Sequence, residues 1–433
     1  MASLLNRRQF LVHSGVAAAG FWLAGRSWGK ISPNEKLNLG IIGTANRAGD
    51  NLRHVSSENI VALCDVDAKL LAAACQKYPK ATAYGDFRKM LERRDLDAIV
   101  IGTPDHTHAV ATVASLRSGR HVYCEKPLAH TISEARCIAE TAKKCRRITQ
   151  MGTQIHATIN YHEVVEAIQN GVIGPVREVH VWVGSVYTAK GLPEDKPVMP
   201  EGLDWDLWLG PAQPRPYSPE YVPKQWRRYW AFGGGVLADM GCHYIDLAHW
   251  SLRLRYPLSV ETEGSPVDAE GTPSWMIARY EYPARAGQPP VKLTWYHGVK
   301  DGKNVRPPHF DRGELPEWGN GVLFVGDKGM LLAEYGKYIL LPEKNFPVPP
   351  ARPQRPDDYE GKHHQEWIAA IKNGGATSCN FDYSGALTEA VLLGNVAYRS
   401  GAKVDWNPAS LSAAGNARAE QYIRHHYRRG WII

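Results

Sequence analysis

Paired cysteines, low-complexity tracts and long apolar runs are all missing from this chain of 433 residues. The seven cysteines, at positions 64, 75, 124, 137, 145, 242 and 379, contain no C-x-x-C pair, and their odd number leaves one over in any full disulfide scheme. Buried free thiols are therefore expected, and no metal site is assigned. Without biased tracts the chain is neither a fibre nor a disordered polymer. An excess of one charge is missing as well. The net +7 includes Arg7, Arg8, Arg26 and Lys30 in a first 30 residues that hold no acid, so only three positive charges are left for everything after them. Mixed charge of this kind excludes a nucleic-acid binder, which would carry a basic face.

What is present suits an ordinary globular protein: 44% hydrophobic residues, 22% charged, 40 Gly and 29 Pro. The length corresponds to two or three domains of about 150 residues or more each. Residues 1–32 read as an address. Arg7-Arg8-Gln-Phe-Leu is followed by the apolar stretch Val16 to Gly25, the layout of a twin-arginine export signal. The stretch is too short for a stable transmembrane span. The expected location is the periplasm or another exported compartment, with a membrane anchor as the alternative if the leader is kept. Folded export suits a protein that takes up a cofactor in the cytoplasm and keeps it.

From Leu37 short apolar runs alternate with helical patterns. Leu37–Ile42, Ile60–Cys64, Ala98–Gly102, His121–Cys124 and Ile148–Met151 read as strands, and 68–78, 86–93, 109–118 and 132–144 as helices. That alternation predicts a doubly wound parallel sheet over residues 33–155. The first strand runs into Gly43-Thr-Ala-Asn-Arg-Ala48-Gly49, which fits G-x-G-x-x-G/A except that Ala45 takes the second glycine. Asp65 stands 22 residues after Gly43 at the end of a strand, where a carboxylate accepts from the ribose hydroxyls of NAD and repels a 2′-phosphate, so NAD is expected over NADP. Thr103-Pro-Asp-His-Thr-His108 and Glu125-Lys-Pro127 follow later strands, at the carboxyl edge where such sheets bind ligands. His106 and His108 lack a partner cluster for a metal.

These segments, with Gly233-Gly-Gly-Val-Leu-Ala-Asp239-Met-Gly-Cys-His243, resemble the glucose–fructose oxidoreductase / inositol dehydrogenase / MocA family from about residue 36 onward. Leu203-Asp-Trp-Asp-Leu-Trp-Leu-Gly210 and Tyr427-Arg-Arg-Gly-Trp431 resemble its exported branch. The resemblance implies a Rossmann domain and a second α/β domain, residues 156–433, with an open, mainly antiparallel sheet used in homo-oligomers (dimer or tetramer) and C-terminal helices packed back on the first domain. It implies cofactor contacts from Gly43, Ala45, Asn46, Arg47, Asp65, Thr103, Pro104, His106, His108, Glu125, Lys126 and Pro127. It also implies an active-site lysine at Lys126 and an acid–base pair at Asp239 and His243. His156 stands where the family pattern leads one to expect arginine after Gln154.

After residue 155 a helix at 160–170 gives way to period-two runs such as 177–183, 275–282 and 291–296, separated by turns including Gly174-Pro175 and Ala286-Gly287. Asp239 and His243 are four apart on one helix face, with Asp246 three further on. A carboxylate there is expected to fix the imidazole tautomer and raise its pKa, making His243 the base that takes a hydroxyl proton while Lys126 orients the oxygen. Nine of the 14 Trp fall between 182 and 318. Gln225-Trp226-Arg227-Arg-Tyr-Trp230 is the candidate sugar wall, with Gln154 and His156 as further substrate contacts. The expected activity is NAD-dependent hydride transfer at a hydroxyl of a sugar or cyclitol. The alternatives are glycoside cleavage by transient oxidation and elimination, and a non-catalytic carbohydrate-binding protein on a Rossmann scaffold.

Overall fold

The computed structural model describes residues 35–194, 197–285, 287–346, 361–424 and 426–433. The arginine-pair leader and Ala286 of the Ala286-Gly287 turn lie outside them. Six parallel strands form the first sheet: β1 (Asn38–Ile42), β2 (Asn59–Cys64), β3 (Thr82–Tyr84), β4 (Ala98–Ile101), β5 (His121–Cys124) and β6 (Thr149–Met151), in the order β3-β2-β1-β4-β5-β6. The strand order reverses between β1 and β4, so the loops leaving them part and open a crevice at their carboxyl ends. β3 is one strand more than the apolar runs predict, because its three residues are all half-buried or exposed. The helix Asp105–Arg117 begins four residues earlier than its periodicity suggests. It is buried on nearly every side, so no polar stripe marks its start.

The second sheet has ten strands: β7 (Val176–Val183), β8 (Ser259–Gly264), β9 (Trp275–Tyr282), β10 (Val291–Lys300), β11 (Lys303–Asn304), β12 (Asn320–Gly326), β13 (Gly329–Ala333), β14 (Tyr338–Leu341), β15 (Val404–Asn407) and β16 (Ser412–Ala413). Its path is β14-β13-β12-β7-β10-β9-β8-β15-β16, with β11 on β10. All pairs are antiparallel except β7 with β10, which run parallel from Glu178↔Lys292 to Val183↔His297. The long connection between those two strands, which carries the helix Gly235–Leu252 and the strands β8 and β9, makes that pairing possible.

Helix Phe381–Ser400 lies between the two halves. It packs on Ile132–Cys145 of the first and Gly235–Leu252 of the second, and 17 of its 20 residues are buried. Close approach is allowed where side chains are absent: a Cβ at Gly394 would sit 2.3 Å from the Tyr280 hydroxyl, and one at Gly385 3.0 Å from Ala139 Cβ. The Arg136 guanidinium grips Glu389 with two bonds of 2.8 Å across this interface. Helix His363–Asn373 folds back under the first sheet. There Trp367, Ile368 and Ile371 join Leu37, Leu39 and Ile41 in one apolar cluster. All seven cysteines are unpaired. No described helix is long and apolar enough to cross a membrane.

Trp367 is fully buried, with its ring 5.8 Å from that of Tyr123. Trp367→Ala should lower stability by about 3–5 kcal/mol, a cost typical of an emptied aromatic site. Urea or thermal unfolding measures it, and a loss below 1 kcal/mol would mean the helix is not anchored there.

Candidate active site

A cleft of about 1120 Å³ opens at the switch point between β1 and β4 and is roofed by the second half of the chain. One end is shaped to meet phosphate. Gly43 has φ +86, and a Cβ there would lie 3.0 Å from the Gly102 carbonyl oxygen. A Cβ on Gly102 would lie 2.7 Å from Ala48 Cβ, so the loops after β1 and β4 touch only because both positions are glycine. Ala45 is the N-cap of helix Asn46–His54 with extended φ −124 and no side-chain cap bond. Left-handed backbone falls on Gly43 and Asn46 (φ 51), so alanine meets no conformational penalty at the second motif position. The bare helix start and the tight glycine turn fit the pyrophosphate of a dinucleotide. Asp65 lines the same wall. Its carboxylate accepts from Thr44 N (2.9 Å), Thr44 Oγ1 (2.8 Å) and Asp67 N (3.0 Å), and burial raises its pKa against those bonds.

Glu125 is a buried hub. Its Oε1 accepts from Arg47 Nε (3.2 Å), Asn51 Nδ2 (2.9 Å) and Gln154 Nε2 (2.8 Å), and a Cβ at Gly152 would lie 2.6 Å from its carboxyl carbon. The hub sets the start of the next segment, from which Lys126 crosses the cleft to Asp239. Lys126 Nζ pairs with Asp239 Oδ1 and donates to the Asp239 carbonyl at 2.9 Å. Arg227 Nε donates to the same carboxylate at 3.2 Å and Tyr187 Oη at 2.9 Å. Burial alone would raise the pKa of Asp239. The Lys126 and Arg227 charges outweigh it and hold the group well below the usual carboxylate range.

The expected Asp239–His243 hydrogen bond is not formed, because the Asp239 oxygens are taken by Lys126, Arg227 and Tyr187. His243 lines the cleft and its Nδ1 has no hydrogen-bond partner. Burial first, then the Lys126 charge, push its pKa well below the ordinary value despite the opposing pull of Asp239. The sequence expectation of a raised pKa is thus reversed in sign. The result still suits a base, since the imidazole is neutral and able to accept a proton.

Of the other proposed site residues, Asn46, Arg47, Thr103, Pro104, Gln154, Trp226 and Arg227 also line the cleft, with the Arg227 guanidinium 4.1 Å above the Trp226 ring. Four do not. His106 is buried, with Nε2 2.9 Å from the Trp208 carbonyl oxygen. His108 lies behind two cleft loops, its Nδ1 2.7 Å from the Pro127 carbonyl oxygen and its Nε2 2.8 Å from that of Thr103, and Pro127 is off the lining. His156 is buried behind the site, its Nδ1 2.9 Å from Asp246 Oδ2 and its ring stacked on Trp250. Cys379 lies close to that pair, with donor atoms within 4.8 Å, but Tyr383 Oη donates to the second Asp246 oxygen. These histidines are struts rather than ligand contacts. Helical spacing cannot separate the two roles.

Sequence reasoning missed Tyr187 and Asp105. Tyr187 reaches Asp239 from 52 residues away, which no local pattern signals. Asp105 lies inside the quoted Thr103–His108 motif. It lines the cleft while 3% exposed, and burial, opposed by Arg227 and reinforced by Asp239, pushes its pKa up to about 8.

Two domain matches agree with this architecture. Residues 37–153 match the oxidoreductase family's NAD-binding Rossmann fold, and residues 161–287 its C-terminal alpha/beta domain. The chain belongs to the Gfo/Idh/MocA oxidoreductase family, and its residues 37–153 are an NAD-binding domain of that family. Inositol 2-dehydrogenase of Salmonella typhimurium is 32% identical over 166 residues, 37% of this chain and 48% of that enzyme, so the alignment spans about half of the relative. A glycosyl hydrolase family 109 protein of Shewanella pealeana is 28% identical over 204 residues, 39% of this chain and 44% of that protein. The WlbA dehydrogenase of Bordetella pertussis, solved with NADH and UDP-GlcNAcA, shares the fold with a TM-score of 0.61 at 16% identity. That match covers 86% of this chain and 99% of that one.

Asp105 keeps its proton to about pH 8 when folded, whereas an unfolded aspartate releases it near pH 4, about 3.9. Folding therefore binds a proton between those limits, and the stability tied to this group falls as pH rises from about 4 to 8. Asp105→Asn should remove that decline, making the variant gain on wild type as pH increases. Thermal unfolding at pH 5 and pH 8 reads it, and an identical pH dependence in both proteins would refute the buried protonated carboxyl.

Proposed function

We propose that the protein is an NAD-dependent oxidoreductase that transfers a hydride between a hydroxyl-bearing carbon of a sugar or cyclitol and a tightly held nicotinamide cofactor. The observation that carries this is the meeting of Lys126, from the nucleotide-binding half, with Asp239 and His243, from the other half, on one wall of a cleft whose opposite end is built for a dinucleotide. The names of the inositol dehydrogenase relatives and of the sugar-nucleotide dehydrogenase with the same fold point the same way. When bound, the nicotinamide supplies the hydride acceptor. Lys126 orients the substrate hydroxyl and stabilises its developing negative charge. His243, neutral and facing the cleft, takes the hydroxyl proton as the hydride leaves the carbon. Asp239 anchors Lys126 and Arg227 so that neither cation swings away. Trp226, with the Arg227 guanidinium stacked on its ring, lines the wall against which a sugar ring would lie.

The proposal includes folded export through the twin-arginine leader and a homo-oligomeric state. With no exported pool of nucleotide to exchange with, the bound cofactor would be restored in place by a second carbonyl substrate, which takes the hydride back. The glycosyl hydrolase family 109 relatives support a second reading, glycoside cleavage with no net redox change.

Acid release from protein purified without added nucleotide, followed by mass spectrometry, should give NAD or NADH in near one-to-one amount. Lys126→Ala and His243→Ala should each keep the nucleotide and lose turnover by about 10²–10⁴-fold, the usual range for a positioned acid–base group. Unchanged turnover in Lys126→Ala would remove the assigned role. An empty wild type that also fails to bind added NAD would leave the non-catalytic scaffold.

As His243 is neutral through the physiological range, the acid limb of kcat should lie below the ordinary histidine value of about 6.5. A limb centred at or above that value in the pH–rate profile would contradict the buried, cation-facing imidazole.

A further inference from the structure

The two segments that resemble the exported branch of the family, Leu203–Gly210 and Tyr427–Trp431, lie more than 200 residues apart in the chain and meet in the fold. Arg428 joins them. Its backbone N donates to the Pro211 carbonyl at 3.2 Å, its Nε to the Gly210 carbonyl at 2.5 Å, and its guanidinium also bonds the Asp206 carbonyl and carboxylate. The Gln213 side chain adds a bond of 2.9 Å to the His426 carbonyl. Three bonds thus join the two segments and two more join their immediate neighbours, holding them as one piece.

That piece is docked on the nucleotide-binding half at separate points around the cleft. Along one edge Ala68 N donates to Gly202 O and Asp204 N to Val66 O, each at 2.9 Å, in the loop that leaves β2 through Asp65. From below, His106 Nε2 meets the Trp208 carbonyl. The backbone of Gly210 sits against Thr107, where a Cβ would come within 2.9 Å of a methyl carbon. On the far side Trp431, 8% exposed, reaches Phe87 at 6.1 Å between ring centroids, with the Arg88 guanidinium 4.6 Å from its own centroid. Trp431, Phe87, Leu203 and Trp208 all line the cleft. In a sheet of this order the ribose lies by the acid that follows β2, so the purine extends toward the loop after β3, which is Gly85–Phe87.

We infer that Leu203–Gly210 and Arg428–Trp431 form a clasp over the adenosine end of the cleft, with the Trp431 indole as the purine's outer wall, and that this clasp makes the dinucleotide a resident group. The inference rests on the cofactor reading above and specifies what retains the cofactor. A dinucleotide can leave only after bonds from both segments and the Val66–Ala68 edge are broken together. An aromatic wall favours a flat purine and is indifferent to the nicotinamide redox state.

The test is exchange of bound nucleotide against isotopically labelled NAD, read by rapid desalting and mass spectrometry on the full chain. Wild type should retain its nucleotide through desalting. Trp431→Ala should exchange about three- to tenfold faster, the loss associated with one aromatic contact, and Arg428→Ala at least as much. Trp431→Phe and Arg428→Lys should fall between, and a melting temperature for each variant confirms that it is folded. Folded alanine variants that exchange no faster than wild type would overturn the clasp. Wild type that binds NAD but exchanges it within the desalting step would overturn retention while leaving the cofactor reading intact. Wild type that binds neither NAD nor NADP would overturn the cofactor reading itself.

Discussion

The ion pair between Lys126 and Asp239 joins the two halves of the molecule at the place where they must cooperate. Two opposite charges in a half-buried cleft are costly unless each is fully satisfied, and a lone one would be strongly destabilising. Here Asp239 is held by Lys126, Arg227 and Tyr187. The arrangement requires the sheet edge that carries Lys126 and the helix that carries Asp239 to stay in register. Burial first, and then the Lys126 charge, lower the pKa of His243, so the lysine that locks the cleft also helps to keep the base neutral.

Much of the remaining structure supports that register. The buried helix Phe381–Ser400 and the Arg136–Glu389 pair fix the halves from behind. Glu125, gathering Arg47, Asn51 and Gln154, fixes the start of the lysine segment, and Asn51 is in turn held by His364 of the helix under the sheet at 3.0 Å. Buried polar networks of this kind tolerate no missing member, because each unsatisfied group in a low-dielectric interior bears its full desolvation cost. His106, His108 and His156 are buried within that frame, each with a ring nitrogen within hydrogen-bond distance of a backbone carbonyl or the Asp246 carboxylate.

Legibility in the sequence followed the range of the interaction. The Rossmann half was readable because each strand and its following loop are contiguous, and Gly43, Asp65 and the Glu125-Lys126-Pro127 segment fall at fixed points along that repeat. β3 and the first turn of Asp105–Arg117 were not, one for want of apolar residues and the other for want of a polar face. The parallel pairing of β7 with β10 was hidden as well, since period-two patterning reports which side chains are buried and not which neighbour a strand chooses.

Residue types and spacing, read together with the family resemblance, pointed to the class of chemistry: a glycine turn before a helix, an acid after the second strand, a lysine at the sheet edge, and Asp239 one helical turn from His243. These are local consequences of backbone geometry. Only the tertiary structure decided which groups share charge and which merely hold the frame. It turned Asp239 from a partner of His243 into an anchor for Lys126 and Arg227, and brought Tyr187 and Asp105 into the cleft. It also joined Arg428 to Gly210 from the far end of the chain. The physical reason is that electrostatic coupling and desolvation depend on distance through the folded protein, and separation along the chain does not set that distance.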